Sequence, residues 1–328
     1  MTLRATTVSD VSKTASPADR QPDSSGRAGA AWLPWAALLV VYFVWGSTYL
    51  AIRVGVETIP PLLLSAVRYL VAGAVLYPVA VRLGGPVVRA TDRPGRRQWA
   101  AAAVVGTLLL TIGNGGVSYA EQTVPSGLAA LLVATVPLWM VAADRVINGK
   151  PVGRLAALAL VVGLVGVAIL SQPGGQAGDL TGIVVLLVAS ASWGLGSVLS
   201  GRVALPSRPL LGAAMEMLAG GAILLAASAA RGELTGLDID QVSRGSAVAL
   251  LYLIGPGSLL ALSAYVLALQ RLPTSTVSTY AYVNPVVAVL LGALLLNEVI
   301  TSRIVVGAAV VVIAVALTLT ARRRTQAA

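Results

Sequence analysis

Residues 273–285 read PTSTVSTYAYVNP, and residues 125–137 read PSGLAALLVATVP. Each run begins and ends with proline, and their first residues, Pro125 and Pro273, are 148 positions apart (273 less 125). The same shift superimposes Trp45 on Trp193, Gly46 on Gly194, Gly73 on Gly221 and Gln122 on Gln270 without a gap. Several matches in one register predict an internal duplication of the chain.

The composition is that of an integral membrane protein. Of the 328 residues 57% are hydrophobic and 11% are charged, and the mean hydropathy is +0.85, far from the composition of soluble domains. The chain contains no Cys and no His, which excludes disulfides, Cys nucleophiles and His bases, and we expect neither a metal nor a cofactor. The net charge of +10 comes from basic residues in short loops between apolar runs, so we expect no nucleic-acid partner.

The apolar runs predict an all-α membrane protein. A membrane-spanning helix needs about 20 apolar residues, and ten runs meet this condition: 33–54, 62–83, 98–117, 126–146, 153–171, 180–200, 209–230, 245–267, 275–296 and 302–320. Five belong to a first repeat, 31–171, and five to a second, 172–320. Residues 1–30 are rich in polar residues and predict a disordered tail, and residues 321–328 form a basic tail.

The distribution of Lys and Arg predicts the orientation. They collect in both tails and in the loops 82–97 and 145–154, so both termini are expected in the cytoplasm. An odd number of spans in each repeat makes the second repeat enter the membrane from the opposite face. Inverted repeats of this kind are typical of secondary transporters, whose substrate site lies near the midplane.

Three stretches carry a resemblance to a known family: WGSTYLAIRV at 45–54, LSAVRYLVAGAVL at 64–76, and YVNPVVAVLLGALLLNEVITSRIVVGAAVVVIAVAL at 282–317. With the two five-helix copies, they resemble the EamA-type branch of the drug/metabolite transporter superfamily over residues 33–320. The resemblance implies a transporter, with export of amino acids or related metabolites as the first expectation. One position departs from the family pattern, because Lys150 stands where a Glu is usual and where the second repeat has Glu298.

The ninth predicted span is polar where the fourth is not. Thr276, Tyr280 and Asn284 follow one another at intervals of four residues and so share one face of a helix. Their partners in the register are the apolar residues Leu128, Leu132 and Val136. We expect the ninth span to supply most of the polar substrate contacts; the alternative is that these side chains only join neighbouring helices.

Pro137 and Pro285 fall near the middle of these two spans. Each removes one backbone donor and leaves the carbonyl four residues earlier without its helical partner. The prolines therefore predict helix hinges at equivalent places in the two repeats, or kinks between packed helices.

An aromatic stripe runs along the first span through Tyr42, Trp45 and Tyr49 and ends at Arg53. Trp45 is too deep for an interfacial belt, so we expect it, with Tyr49, to line the pathway. For Arg53 we expect a side chain that extends to the membrane surface and pairs with Glu57.

Two charges lie well inside predicted spans, Arg68 and Glu216, at equivalent positions of the two repeats. A charge at the centre of a membrane helix costs about 2.5–3.5 kcal/mol, so such residues usually serve a function. Arg68 is a candidate to attract a substrate carboxylate or to bind loop carbonyls, and Glu216 is a candidate proton carrier. Inversion places them on opposite sides of the midplane, which argues against a direct ion pair.

Asn114 lies among glycines in the sequence Gly113-Asn114-Gly115-Gly116. Four weak helix formers in a row favour local unwinding that exposes backbone groups, although close helix packing through small residues explains them as well. Asp144, Glu121 and Glu298 fall near the ends of spans, where an interfacial position is the simplest expectation.

These features favour a secondary transporter for a small metabolite that works by alternating access, with one chain sufficient and a dimer possible. A membrane enzyme acting on a lipid-linked substrate is the alternative, but it needs clustered carboxylates or a metal site. A third candidate is a membrane scaffold, which has no need of polar residues at mid-depth. No Walker A pattern is present, so ATP is not expected to be the energy source.

Overall fold

The computed structural model describes residues 32–83, 94–149, 151–170 and 179–327. Within these ranges the chain is helical and contains no strand. The predicted tail at 1–30 and Lys150 lie outside the described residues.

The helices follow the predicted spans closely. They are α1 Leu33–Gly55, α2 Pro61–Leu83, α3 Arg96–Ala120, α4 Ser126–Asn148, α5 Arg154–Leu170, α6 Leu180–Ser200, α7 Pro209–Ala230, α8 Arg244–Arg271, α9 Thr274–Val277 with Tyr280–Leu296, and α10 Ser302–Ala327. In the described part of the chain, eight helices are long and apolar enough to cross a membrane. The apolar helices Arg154–Leu170 and Tyr280–Leu296 are shorter.

Helix starts and ends have local causes. Proline occupies the first turn of α1 and of α7, where its missing N–H costs no helical bond. Helix α4 ends at Gly149 (φ 64°) and α9 ends at Asn297 (φ 53°), since Gly and Asn adopt the left-handed conformation more readily than other residues. The turn at Asn297 directs Glu298 back toward the bundle.

Helices α3 and α8 contain matching irregularities. Each has a π-helical segment of eight residues, Thr107–Asn114 in α3 and Leu253–Leu260 in α8. The glycine-rich stretch predicted to unwind therefore stays helical, with one wider turn, and continues as an α-helix from Gly115.

Helices α4 and α9 are both interrupted, but at different places. Helix α4 breaks between Val133 and Val136, directly before Pro137. Helix α9 breaks between Val277 and Tyr280, whereas Pro285 lies inside the continuous helix that follows. The break in α9 therefore does not coincide with Pro285, and a hinge at this proline stays a prediction.

The contacts between helices recur under the correspondence of α1 with α6, α2 with α7, α3 with α8, α4 with α9 and α5 with α10. Helix α1 packs on α8 and α9, and α6 packs on α3 and α4. Helix α2 packs on α7, α5 packs on α10, and the first half of α4 packs on α9. Each of these last three pairs joins helices that correspond to each other in the register of 148 residues.

Glycines mark these crossings in the same register. A Cβ at Gly46 would lie 2.7 Å from the Cβ of Val287, and a Cβ at Gly194 would lie 2.7 Å from the Cβ of Trp139. A Cβ at Gly73 would lie 3.0 Å from Leu218 Cγ, and one at Gly221 the same distance from Leu70 Cγ. Every partner in one repeat is 148 residues from its counterpart in the other.

One end of the bundle is closely packed. We call it the distal end; there α1, α3, α7 and α9 finish and α2, α4 and α8 begin. All eight residues of the first half of α4, Ser126–Val133, are buried at this end. In the second half of α4, only Pro137 and Leu138 are buried. Helix α4 is therefore closely packed at the distal end and more exposed toward the opposite end.

Candidate functional site

Three aromatic side chains from α1, α8 and α9 meet near the middle of the bundle. The ring centroid of Trp45 lies 5.1 Å from that of Tyr265 and 5.3 Å from that of Tyr280. Tyr265 and Tyr280 are 5.7 Å apart with their rings nearly perpendicular, a favourable geometry for aromatic pairs. We call Trp45, Tyr265 and Tyr280 the aromatic cluster. All three side chains are only half-buried, so each keeps surface for a ligand.

Asn284 connects α9 to the backbone of α1. It is buried, and its amide group faces the carbonyl oxygens of Tyr280 and Tyr42, so we assign the amide orientation in which the nitrogen donates to both at 3.2 Å. The Tyr42 hydroxyl also shares a hydrogen bond with Thr279. Asn284 therefore holds two elements of the aromatic cluster in position.

Thr276 lies on the other side of the break in α9. Its carbonyl oxygen accepts hydrogen bonds from the backbone N–H of Thr279 (3.2 Å) and from the Thr279 hydroxyl (2.5 Å). The break separates Thr276 from Tyr280 and Asn284, so the three residues do not share one continuous helical face. The break in α4 lies at a different place in the register but has a similar hydrogen bond, because the Thr135 hydroxyl donates to the Leu132 carbonyl at 2.6 Å.

Arg68 is held by the π-helical segment of α8. The side chain is 6% exposed, its Nε donates to the Ser258 hydroxyl at 2.9 Å, and its guanidinium carbon lies 4.8 Å from the centre of the Tyr69 ring. Among the described residues no carboxylate lies within ion-pair distance of Arg68. The guanidinium thus keeps N–H donors for a further acceptor. Tyr49 of α1 lies nearby and packs against buried apolar side chains.

Glu216 is half-buried on α7 where α3 crosses that helix. A Cβ at Gly106 of α3 would lie 2.6 Å from the backbone oxygen of Glu216. Within the described ranges the Glu216 carboxylate has neither a hydrogen-bond donor nor a cation as partner. Arg68 and Glu216 therefore form no direct ion pair, as their positions in the register predict.

Asn114 is buried and donates from Nδ2 to the Leu109 carbonyl five residues earlier, at 3.3 Å. This hydrogen bond satisfies a backbone group of the π-helical segment. The neighbouring glycines serve close packing, since a Cβ at Gly115 would lie 2.8 Å from Leu224 and one at Gly116 would lie 3.1 Å from Ala189.

Arg53 joins α1 to the segment that follows α3. Its Nη1 donates to the carbonyl oxygens of Glu121 and Gln122, the latter at 2.7 Å. Arg53 is half-buried, and in the described part of the chain its guanidinium binds these carbonyls instead of the expected Glu57. A guanidinium offers several donors in a fixed plane, so it can bind two carbonyls that end a helix.

Glu298 binds the start of α4. Its carboxylate accepts hydrogen bonds from the Ser126 N–H (2.7 Å), the Ser126 hydroxyl (2.8 Å) and the Gly127 N–H (3.0 Å). These N–H groups have no partner inside their own helix, and the positive end of the helix dipole favours an anion there. Glu298 thereby joins the segment after α9 to the start of α4 at the distal end and is not a simple interfacial residue.

Glu121 departs most clearly from the interfacial position expected for it. Its side chain is 0% exposed, and neither Oε1 nor Oε2 has a hydrogen-bond partner among the described residues. Buried carboxylates are usually paired or hydrogen-bonded. An unpaired one at this position needs an explanation.

Sequence reasoning missed Tyr265, Thr279 and the binding roles of Glu121 and Glu298. Tyr265 could have been found, because its register partner is the apolar Val117, the same contrast that identifies Tyr280. Nothing in the local sequence distinguishes a buried Glu121 from an exposed one at the end of a helix.

Comparisons with known proteins agree with this architecture. A sequence model of the EamA-like transporter family matches residues 32–172 and again residues 180–320. An uncharacterized inner membrane transporter of Escherichia coli, YedA, is 40% identical over 86% of this chain and 89% of its own. A probable amino-acid metabolite efflux pump of Salmonella typhimurium is 25% identical over 84% and 90%. A solved crystal structure with 19% identity superimposes with a TM-score of 0.59 over 90% of this chain and 99% of that one.

Proposed function

Because the chain belongs to the EamA-like transporter family, and is thus a multi-pass membrane transporter, we propose that it exports small organic metabolites such as amino acids. The observation that carries the substrate class is the aromatic cluster with the buried amide of Asn284 beside it. Half-buried aromatic rings and polar groups suit a small amphipathic molecule. The efflux pump of Salmonella typhimurium supports export of amino-acid metabolites.

The proposed mechanism uses two inverted halves of five spans each. Two matches of the family model, one per half, support it, and so do the glycine crossings that recur at a spacing of 148 residues. In such proteins one half moves against the other around a central site. A single chain contains both halves, so no second copy is needed.

The orientation follows from the basic loops. With both termini in the cytoplasm, the distal end faces outward and the described conformation is closed to the outside. Arginine and lysine are concentrated in the loops at the opposite end, in agreement with the positive-inside rule. The looser second half of α4 then lies on the cytoplasmic side, where an exported substrate enters.

The proposed pathway starts at the aromatic cluster and continues past Arg68. Tyr280, Trp45 and Thr276 contact the apolar part of the substrate, and Asn284 positions them. Arg68 attracts a carboxylate through the donors that Ser258 leaves free, with Tyr49 and Asn114 along the wall. Pro137 and Pro285 weaken their helices and serve as hinges during the cycle.

Glu216 is the proposed carrier of a coupling proton, since it is a carboxylate within a span and without a partner in the described residues. In Glu216→Gln the side chain cannot release a proton, so accumulation driven by a pH gradient should be lost while exchange at equal pH continues. Accumulation at the wild-type level in this variant would exclude the role.

Uptake of labelled compounds into liposomes that contain the purified protein tests the function. The panel consists of amino acids, their derivatives, small anions and lipid-soluble cations, each assayed with and without a pH gradient. We expect saturable transport of at least one zwitterionic amphipathic compound and none in empty liposomes. Transport confined to one of the other classes would contradict the proposed substrate class.

A further inference from the structure

The segment after α3 contains a carboxyl group that the transport pathway does not use. Glu121 follows the last residue of α3 and is fully buried at the distal end. The neighbouring guanidinium of Arg53 binds the carbonyl oxygen of Glu121 and leaves both carboxyl oxygens without a donor. At the closed distal end the Glu121 side chain is therefore buried, but no described residue donates a hydrogen bond to its carboxyl group.

The charged and titratable groups around Glu121 come from three other parts of the bundle. Arg53 and Tyr49 face it from α1, Arg68 from α2, and Glu298 from the segment after α9. Glu298 is held in place by its bonds to Ser126 and Gly127, so it cannot move away from Glu121 while the distal end is closed.

Burial raises the pKa of the Glu121 carboxyl group well above its usual range, and the negative charge of Glu298 raises this pKa further. The two guanidinium groups oppose the increase but do not reverse it. Closure thus favours the neutral carboxylic acid, which is also the form that tolerates a site without hydrogen-bond donors.

We propose that Glu121 is a proton-binding site, and that the distal end closes around the protonated carboxyl group and opens when the proton leaves. In the open state water reaches Glu121 and solvates its carboxylate. Closing then takes up one proton from solution, and opening returns it. This role rests on the proposed function, because an outward gate has a meaning only in a transporter, but it concerns a different residue from the carrier Glu216.

The difference between the pKa of Glu121 in the closed and in the open state fixes the direction of the pH dependence. The closed state has the higher pKa, so its extra stability is complete below the pKa of an exposed Glu, about 4.3. That stability is lost as pH rises through the closed-state pKa. Between these limits, one linked proton changes the ratio of closed to open molecules by up to about tenfold per pH unit.

Thiol labelling can measure this ratio, since the natural chain contains no Cys. A cysteine replacing Leu128, which is buried in the first half of α4, reports opening through its reaction with a water-soluble thiol reagent. A cysteine replacing the exposed Asp240 corrects for the pH dependence of the thiol itself. Val289→Cys, on the α9 surface that faces Gly127, is a second reporter in case Leu128→Cys folds poorly.

We expect the corrected labelling rate to rise by up to about tenfold per unit between pH 5 and 8, and to be low and independent of pH in Glu121→Gln. Glu57→Gln, which removes an exposed carboxylate at the same end, should keep the dependence of the parent. A pH dependence that persists in Glu121→Gln, or is absent from the parent, overturns the proposal. Labelling needs no substrate, so a failure of the transport panel leaves this result interpretable, and the reverse also holds.

Discussion

At the scale of single residues, the carboxylate of Glu298 supplies the hydrogen bonds that the start of α4 lacks. A carboxylate at a helix N-terminus accepts bonds from N–H groups that are otherwise unsatisfied and interacts favourably with the helix dipole. Gly292 makes this contact possible, since a Cβ at that position would collide with the Glu298 carboxylate. The equivalent position in the first repeat carries Lys150, so a carboxylate cap of this kind is not available from that position for α9.

Glu298→Ala should lower the free energy of unfolding by about 1–2 kcal/mol, the usual effect of losing a helix cap. Thermal unfolding of the purified protein in detergent measures the loss. Glu57→Ala removes a carboxylate that is exposed at the same end, and its effect should stay within about 0.5 kcal/mol. Equal effects of the two substitutions would contradict the capping role.

Residue-scale reasoning from the sequence singled out Tyr280, whose role in the pathway stays a prediction, and it missed the burial of Glu121. The contrast between Tyr280 and Leu132 can be read from two aligned repeats. Glu121 is buried near Arg53 and Glu298, which approach it from distant parts of the chain. No local pattern records such an approach.

At the scale of helices, the breaks in α4 and α9 have different causes. Pro137 lies next to the break in α4, so the sequence predicts its position. In α9 the break lies at Ser278 and Thr279, where the Thr279 hydroxyl binds the Thr276 carbonyl and the Tyr42 hydroxyl of α1. This break thus coincides with a contact to another helix, whereas the proline lies six residues later.

Glycine at the α1–α9 crossing provides a test at this scale. Gly46→Ala places a methyl group 2.7 Å from the Cβ of Val287, and overpacking of this kind costs about 1–3 kcal/mol. We expect a lower unfolding temperature for Gly46→Ala. Gly153→Ala, where a Cβ meets nothing within 4 Å, is the matched control and should leave that temperature unchanged. A Gly46→Ala protein as stable as the control would contradict the close crossing.

At the scale of the whole molecule, the register of 148 residues predicts more than the number of spans. It also predicts which glycines lie at equivalent crossings, because a duplicated sequence folds into duplicated contacts. The π-helical segments in α3 and α8 could not be predicted in this way. The wider turns of a π-helix leave no mark in the hydropathy pattern of the sequence.

The orientation has its own test. A fluorescent reporter fused after Ala328 should be active, because it stays in the cytoplasm, where such a reporter folds. A cysteine replacing Asp240, in the loop between α7 and α8, should react in whole cells with a reagent that cannot cross the membrane. A dark C-terminal fusion together with an unreactive cysteine would reverse the proposed topology.

The central claim is that one half of a symmetric bundle carries the substrate site, and Tyr280→Leu tests it most directly. This variant gives α9 the residue that α4 has at the equivalent position, Leu132. For a compound identified by the transport panel, we predict a KM about tenfold higher, which corresponds to a loss of about 1.4 kcal/mol. Tyr77→Leu, which breaks an aromatic pair with Trp99 elsewhere in the bundle, should leave the KM unchanged. An unaltered KM in a folded Tyr280→Leu protein would contradict the account.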